Sequence, residues 1–458
     1  MILNPSLCTG VVFDNFDRYV DTLNGKETLH DTVGIIYQNN DDNAHSVLNE
    51  DNVDTNAENM SSPPPPSKRR RSLTEITPDI TPYSKRLKMV GRLTPVQLDQ
   101  PPPQNCSLLQ MIDVLYLLSH VFHVPNTPSW TGFNCRIIED NSPKQKVSYL
   151  TPINLSPTNV SVVAYTMEQA QNVGKECGQT YVQVIYDLAI AYKIQATEGL
   201  KFSNLFIHLG SFHLMMAFFK AVGTFIDECG LSQMMIESKI IASGSVNGII
   251  EGKHFNRCKR LHPLVALGLQ ILHFHQFLKT ERVEHDFVKG QIYEDLLESQ
   301  EKKITPSSTL TDLLPNEILS QLLTSYQQHI EKTRQGNHGK TAQFYMIYIQ
   351  LISYYVNLSR SIRMGDFQMF KSVIPKMANL FFIVNQPNYA RYCVKYVDNL
   401  NDFAETHPGL EDDFNNKFFG VKRTDKPFSR VPIDLTLEQT INADAAFILM
   451  EFLILPTL

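Results

Sequence analysis

The sequence predicts an α/β protein with a large all-α part, and three observations carry that expectation. Short strand-like runs cluster in the first 213 residues: "GVVFD", "TVGIIYQ", "TYVQVIYD" and "SNLFIHLGSFH". The last two are each followed by an apolar helical segment, the strand–helix–strand–helix order of α/β proteins. From residue 231 to about 400 the apolar spacing is almost entirely helical.

Taken in order, residues 1–38 read as two strands joined by "NGKETLHD", a hairpin with Asn24-Gly25 in its turn. Residues 39–104 read as a disordered linker, polar and nearly free of aromatics, then rich in proline. Residues 105–230 continue the α/β core. They open with the helix "CSLLQMIDVLYLLSHVFHV", stopped by Pro125, and "NVSVVAYT" is expected to be a short strand. "TYVQVIYD" and "SNLFIHLGSFH" follow as strands, with helices "LAIAYKIQAT" and "LMMAFFKAVGTFIDECG" behind them. Residues 231–415 form a helical domain, with Pro375 expected to kink one helix. Residues 416–448 are an arm and a last helix, with Thr436 as a candidate N-cap, and residues 449–458 are an apolar tail.

With 458 residues the chain can hold two or three domains. Its 43% hydrophobic and 19% charged residues are globular on average. A net charge of −6 does not mark a nucleic-acid binder, so any basic surface must be local. Seven cysteines, scattered and without a C-x-x-C pair, argue against a disulfide framework or a thiolate zinc site and for a reducing compartment. No segment reads as a signal peptide, and no apolar run reaches about 18 residues, so no membrane partner is expected. Nothing in the pattern sets an oligomeric state.

Several residues could carry chemistry. Asp14 and Asp187 each close a β-branched run. Two such carboxylates with a third from a helix make the oxygen-rich site that Mg²⁺ prefers. Two ions could then activate water and stabilise the leaving oxygen of a phosphodiester. The plain alternative is that both aspartates cap turns. For the third acid there are two candidates. Glu438 lies near the start of the last helix, and Glu237 lies in "MMIESKIIASGS", where Lys239 or Arg257 would have to partner it. His208 and His213 flank Gly210 and could contact phosphate or a metal, or serve as hydrogen-bonded structural residues. Lys253, Arg257, Lys259 and Arg260 would form one broad basic face, suited to a phosphate backbone or simply solvated. In the linker, the clusters Lys68-Arg69-Arg70-Arg71 and Lys85-Arg86-Leu87-Lys88 read as a nuclear import signal, with an import receptor as partner and the nucleus as location.

Six stretches together resemble a known group. They are "VVFDNFDRYVDTLNGKETLHDTVGIIYQ", "YVQVIYDLAIAYKIQ", "NLFIHLGSFHLMMAFF", "ASGSVNGIIEGKHFNRCKRLH", "QPNYARY" and "RTDKPFSRVPIDLTLEQTINADAA". They resemble uncharacterised, transposon-associated proteins of invertebrates, related to a domain of unknown function also seen in fungi. The layout in turn resembles D-D-E transposases whose ribonuclease-H-like mixed-sheet core is interrupted by a helical insertion. The resemblance implies Asp14 as first acid, Asp187 as second and Glu438 as third, with Glu237 as the alternative. It implies two Mg²⁺ ions and DNA strand cleavage or transfer. The chain begins just before its first strand and stops soon after "NADAA", so a truncated or domesticated copy is expected. The competing expectation is a catalytically inactive nuclear scaffold that binds DNA or protein. A third, an unrelated helical scaffold, requires that "VVFDN" and "VQVIYD" not share a sheet.

Overall fold

The computed structural model describes residues 7–20, 27–39, 78–88, 106–186, 190–303 and 317–440. Five strands form one mixed sheet in the order β3-β2-β1-β4-β5. They are β1 (Thr9–Val20), β2 (Glu27–Asn39), β3 (Gln145–Tyr149), β4 (Val182–Tyr186) and β5 (Leu205–Leu209). β1 and β2 are antiparallel, in register from Thr9 opposite Gln38 to Val20 opposite Glu27, and β2 and β3 are antiparallel as well. β1 lies beside β4, so the reading in which "VVFDN" and "VQVIYD" belong to no common sheet is excluded.

The hairpin is longer than the sequence pattern suggests. β1 does not end at Asp14 but runs on to Val20, because its partner strand continues opposite it. The turn with Asn24-Gly25 lies outside the described residues. β4 and β5 are buried along their whole length, which explains their near-continuous apolar sequence. "NVSVVAYT" is not a strand. It opens a long helix, Val160–Glu176, whose first turn is capped by the Asn159 side chain accepting from Ser161 N at 2.9 Å. A good N-cap and an apolar stripe outweigh the β propensity of the three valines.

The chain divides into two compact units. The first comprises Met1–Met89, Gln145–Val184 and Ile190–Phe206. Its sheet is covered by α3 (Val160–Glu176), which packs on β1 and on α4 (Ile190–Thr197). Two buried polar bonds tie its strands: Tyr37 Oη donates to Gln183 Oε1 at 2.8 Å, and Gln38 Nε2 donates to Thr9 Oγ1 at 2.8 Å. Gly10 makes room for that tyrosine, since a Cβ there would come within 2.2 Å of the Tyr37 hydroxyl. Residues 78–88 depart from the disordered linker expected over 39–104. Tyr83 N donates to Ser161 Oγ at 2.8 Å, Lys88 N to Thr197 Oγ1 at 2.8 Å, and Lys85 Nζ to Glu198 Oε2 at 2.7 Å. Half-buried Ile80, Tyr83 and Leu87 supply the apolar anchors that this short stretch needs.

The second unit comprises Val90–Lys144, Ile185–Ala189 and Ile207–Leu458. It is built around long helices: α1 (Cys106–Val121), α5 (Ser211–Ile226), α8 (Phe255–Thr280), α11 (Lys340–Met364), α12 (Phe367–Ile383) and α13 (Pro387–Asn401). α11 packs on α8 and α12, and α12 on α5 and α13. Pro375 and Pro263 sit inside α12 and α8. The C-terminal arm is tied back by a buried ion cluster. Asp140 meets Lys417 at 2.8 Å, Arg430 at 2.9 Å and Lys422 at 3.2 Å. Burial pushes the Asp140 carboxyl up, but hydrogen bonds from Lys417 and Ser142 and the Arg430 charge overcome it and hold the group well below the carboxylate range. The arm ends in a helix over residues 433–440. Thr436 is inside that helix, its hydroxyl bonded back to Pro432 O at 3.1 Å, and is not its N-cap. Among the described residues no helix is long and apolar enough to cross a membrane.

Candidate functional site

The site is easiest to build from the start of α5. β5 runs through Gly210 into α5, and the first backbone N–H groups of a helix need acceptors from outside it. The acceptor is Asp434, a buried carboxylate on the helix over 433–440. Phe212 N lies 2.8 Å from its Oδ2 and His213 N 3.1 Å from the same oxygen. Gly210 permits this approach, because a Cβ there would stand 2.7 Å from Asp434 Oδ2.

Asp434 also meets His213 Nδ1, at 3.2 Å. With Nδ1 donating to that carboxylate, the lone pair of the neutral ring is carried by Nε2. One helical turn beyond Asp434 comes Glu438, on the same face of its helix and half-buried. A ligand atom of His213 and one of Glu438 lie within 4.8 Å of each other. A carboxylate that fixes an imidazole through one nitrogen and leaves the other to bind is a recurrent metal arrangement. With Thr436 expected as the N-cap, the sequence leaves Asp434 ahead of the helix and without a role. The usable signal was the four-residue spacing of Asp434 and Glu438.

His208, the other histidine beside Gly210, has a different task. It is fully enclosed, its Nδ1 lies 2.7 Å from Tyr396 Oη, and its ring stacks on Phe370. Burial pushes its pKa down to about 3, against a small opposing effect of Asp434. It is a neutral structural histidine.

Asp14 is described within the first unit. It is 5% exposed, sits in the middle of β1 opposite Val33, and its Oδ1 accepts from Asn15 N at 2.7 Å. A carboxylate so deep in a sheet needs compensation. Asp187 lies outside the described residues, as do Lys68, Arg69, Arg70 and Arg71.

Glu237 closes the short helix Leu231–Glu237, is exposed, and accepts from Gln233 at 3.0 Å. Neither Lys239 nor Arg257 is its partner, and an exposed carboxylate does not require one. Of the four basic residues, Arg257, Lys259 and Arg260 lie in the first turns of α8. Lys253 precedes α8 and is ion-paired with Glu251 at 2.5 Å. Arg257 is exposed and donates to Ser245 Oγ at 2.9 Å. Lys259 is half-buried over the Phe255 ring, and Arg260 is exposed. Lys85, Arg86 and Lys88 are exposed, with Lys85 engaged by Glu198.

No curated protein and no solved structure matches this chain in the comparisons made. A family model described as a domain of unknown function matches residues 129–446, which run from just before α2 (Trp130–Ile137) to beyond the helix bearing Asp434 and Glu438. The chain therefore belongs to the family defined by that domain, DUF8702.

Proposed function

We propose that the protein is a transposase-derived, D-D-E type core that cleaves or transfers DNA strands in the nucleus with divalent metal. Asp14, Asp187 and Glu438 supply its carboxylates, and His213 stands beside Glu438 as a further ligand. The observation that carries the reading is the pairing of His213 with Glu438, oriented by Asp434. The sheet order supports it too. β1, bearing Asp14, is the neighbour of β4, which leads directly into Asp187.

The donor set fits a divalent ion with one qualification of kind. Carboxylate oxygens suit Mg²⁺, whereas an imidazole nitrogen suits Mn²⁺ or another first-row metal at least as well. When bound, such an ion lowers the pKa of water and polarises a phosphodiester. The chain's own part is to hold Glu438 and His213 in fixed orientation. Asp434 does so by capping α5 and locking the His213 ring in one act.

The test is nicking of supercoiled DNA with Mg²⁺ or Mn²⁺, alongside Mn²⁺ binding followed by paramagnetic resonance. Wild-type nicking that vanishes in Asp14→Asn and Glu438→Gln, with Mn²⁺ binding at least tenfold weaker, is the expected result. A wild-type chain that neither nicks DNA nor binds Mn²⁺ below about 1 mM sinks the proposal.

A further inference from the structure

The second unit holds a cavity of about 680 Å³ between α1, α2, α8 and α11, well away in sequence from His213 and Glu438. Its volume is that of a small-molecule site. Three cations line it: Lys259, Arg260 and Arg363. The one acid on its wall, Asp113, is already committed. Its Oδ2 accepts from Arg360 Nη1 at 2.9 Å, and its Oδ1 accepts from Arg360 Nη2 and from Trp130 Nε1, the latter at 3.1 Å. Asp113 thus compensates the buried Arg360 and leaves the three wall cations uncompensated.

Those cations are held where they repel one another. Lys259 lies 5.2 Å above the Phe255 ring, and burial together with the charges of Arg363 and Arg260 pushes its pKa down. Arg363 is fixed by Nη1 donating to Phe428 O at 3.1 Å. None of the three forms an ion pair among the described residues. A fold that gathers three cations in a concavity whose one acid is already paired with Arg360 has built an anion site.

The rest of the wall defines what the anion carries. Trp130 and Tyr116 offer aromatic surface, and Leu264, 56% exposed, stands at the wall as an apolar side chain without cover. Ser129, Thr131 and Gln270 add hydroxyl and amide groups. Cations for a phosphate, flat apolar surface for a ring and hydroxyls for a sugar match one ligand class. We propose that this cavity binds a nucleoside phosphate, either free or as an unpaired unit of a single strand. The proposal goes beyond strand cleavage and does not require the metal site.

Trp130 is the chain's single tryptophan, so its fluorescence reports on this cavity directly. The full chain is titrated with dAMP, with inorganic phosphate, with adenosine and with a short single-stranded dA oligonucleotide, without metal. dAMP is expected to give a saturable change with Kd below about 1 mM, and phosphate or adenosine alone to bind at least about tenfold more weakly. The double variant Lys259→Gln/Arg260→Gln and the variant Leu264→Glu should each weaken dAMP about tenfold or more while keeping the wild-type melting temperature. Leu264 is exposed, so its replacement leaves folding intact and keeps the test decisive. An oligonucleotide that binds more tightly than dAMP identifies a strand as the source, and equal or weaker binding identifies the free nucleotide. No saturable change up to about 10 mM dAMP overturns the proposal, as does undiminished affinity in both variants. Phosphate alone binding as tightly as dAMP overturns the nucleoside part of it.

Discussion

Replacing Asp140 by alanine tests whether the C-terminal arm is held by charge. The carboxylate is 1% exposed, and its partners Lys422 and Arg430 are 2% and 3% exposed at the side chain. Alanine removes the carboxylate from both buried cations, leaving Lys422 its bonds to the Asp140 and Ser142 carbonyls, while Lys417, a third exposed, can turn to water. Breaking a buried pair from one side costs about 3–5 kcal/mol. At roughly 2–4 °C per kcal/mol for a large domain, the melting temperature should fall by roughly 6–20 °C. Asp425→Ala is the internal control, because it removes the exposed ion pair with Lys144 a few residues away. That change should cost under about 1 kcal/mol. The assay is thermal and urea unfolding of both variants. If Asp140→Ala falls by no more than Asp425→Ala, the cluster contributes little and the reasoning fails. The sign with pH follows from the depressed carboxyl. Its contribution is complete above about 3.9, the unfolded value, and is lost as pH falls below that toward the lower folded value.

Three further outcomes are expected. His208, His262 and His273 are held neutral, burial pushing them to about 3, about 4 and about 4. Unfolded histidines take up protons below about 6.5, so stability should be complete above that value and fall between about 6.5 and 4, read as urea midpoints across that range. A flat profile there would show that these rings are not buried neutral. Gly210→Ala should cost about 1–3 kcal/mol in urea unfolding, because its methyl group displaces the Asp434 carboxylate from α5. An unchanged midpoint would contradict the cap. Ser161→Ala removes the acceptor of Tyr83 N, and trypsin should then cut after Arg86 about fivefold faster, as one lost hydrogen bond of about 1 kcal/mol implies. An unaltered cleavage rate would mean that the docked segment is held elsewhere.

The helical half was legible because long apolar stripes such as that of α12 have few alternatives. β4 and β5 were legible for the opposite reason, being short and apolar but for Gln183 and His208. The errors have physical causes. Val160, Val162 and Val163 suit a strand, and only the Asn159 cap and the packing of α3 on β1 and α4 make them helical. Asp14 looked like a strand end because a carboxylate seldom interrupts a buried run, yet β2 continues opposite it. At the site, Glu438 and His213 were visible as residue types, but Asp434 acts through a helix start 222 residues away, which spacing cannot reveal.

The bond between Phe212 and Asp434 also sets a timetable. During synthesis at about 5–20 residues per second, α5 emerges roughly 11–44 s before the carboxylate that terminates it. Through that interval its first turn is open to water, and His213 has no fixed tautomer. The helix over residues 433–440 therefore completes both the start of α5 and the orientation of the imidazole. A nascent chain stalled before residue 434 would carry every long helix found among the described residues of the unit and still lack the bond that orients His213.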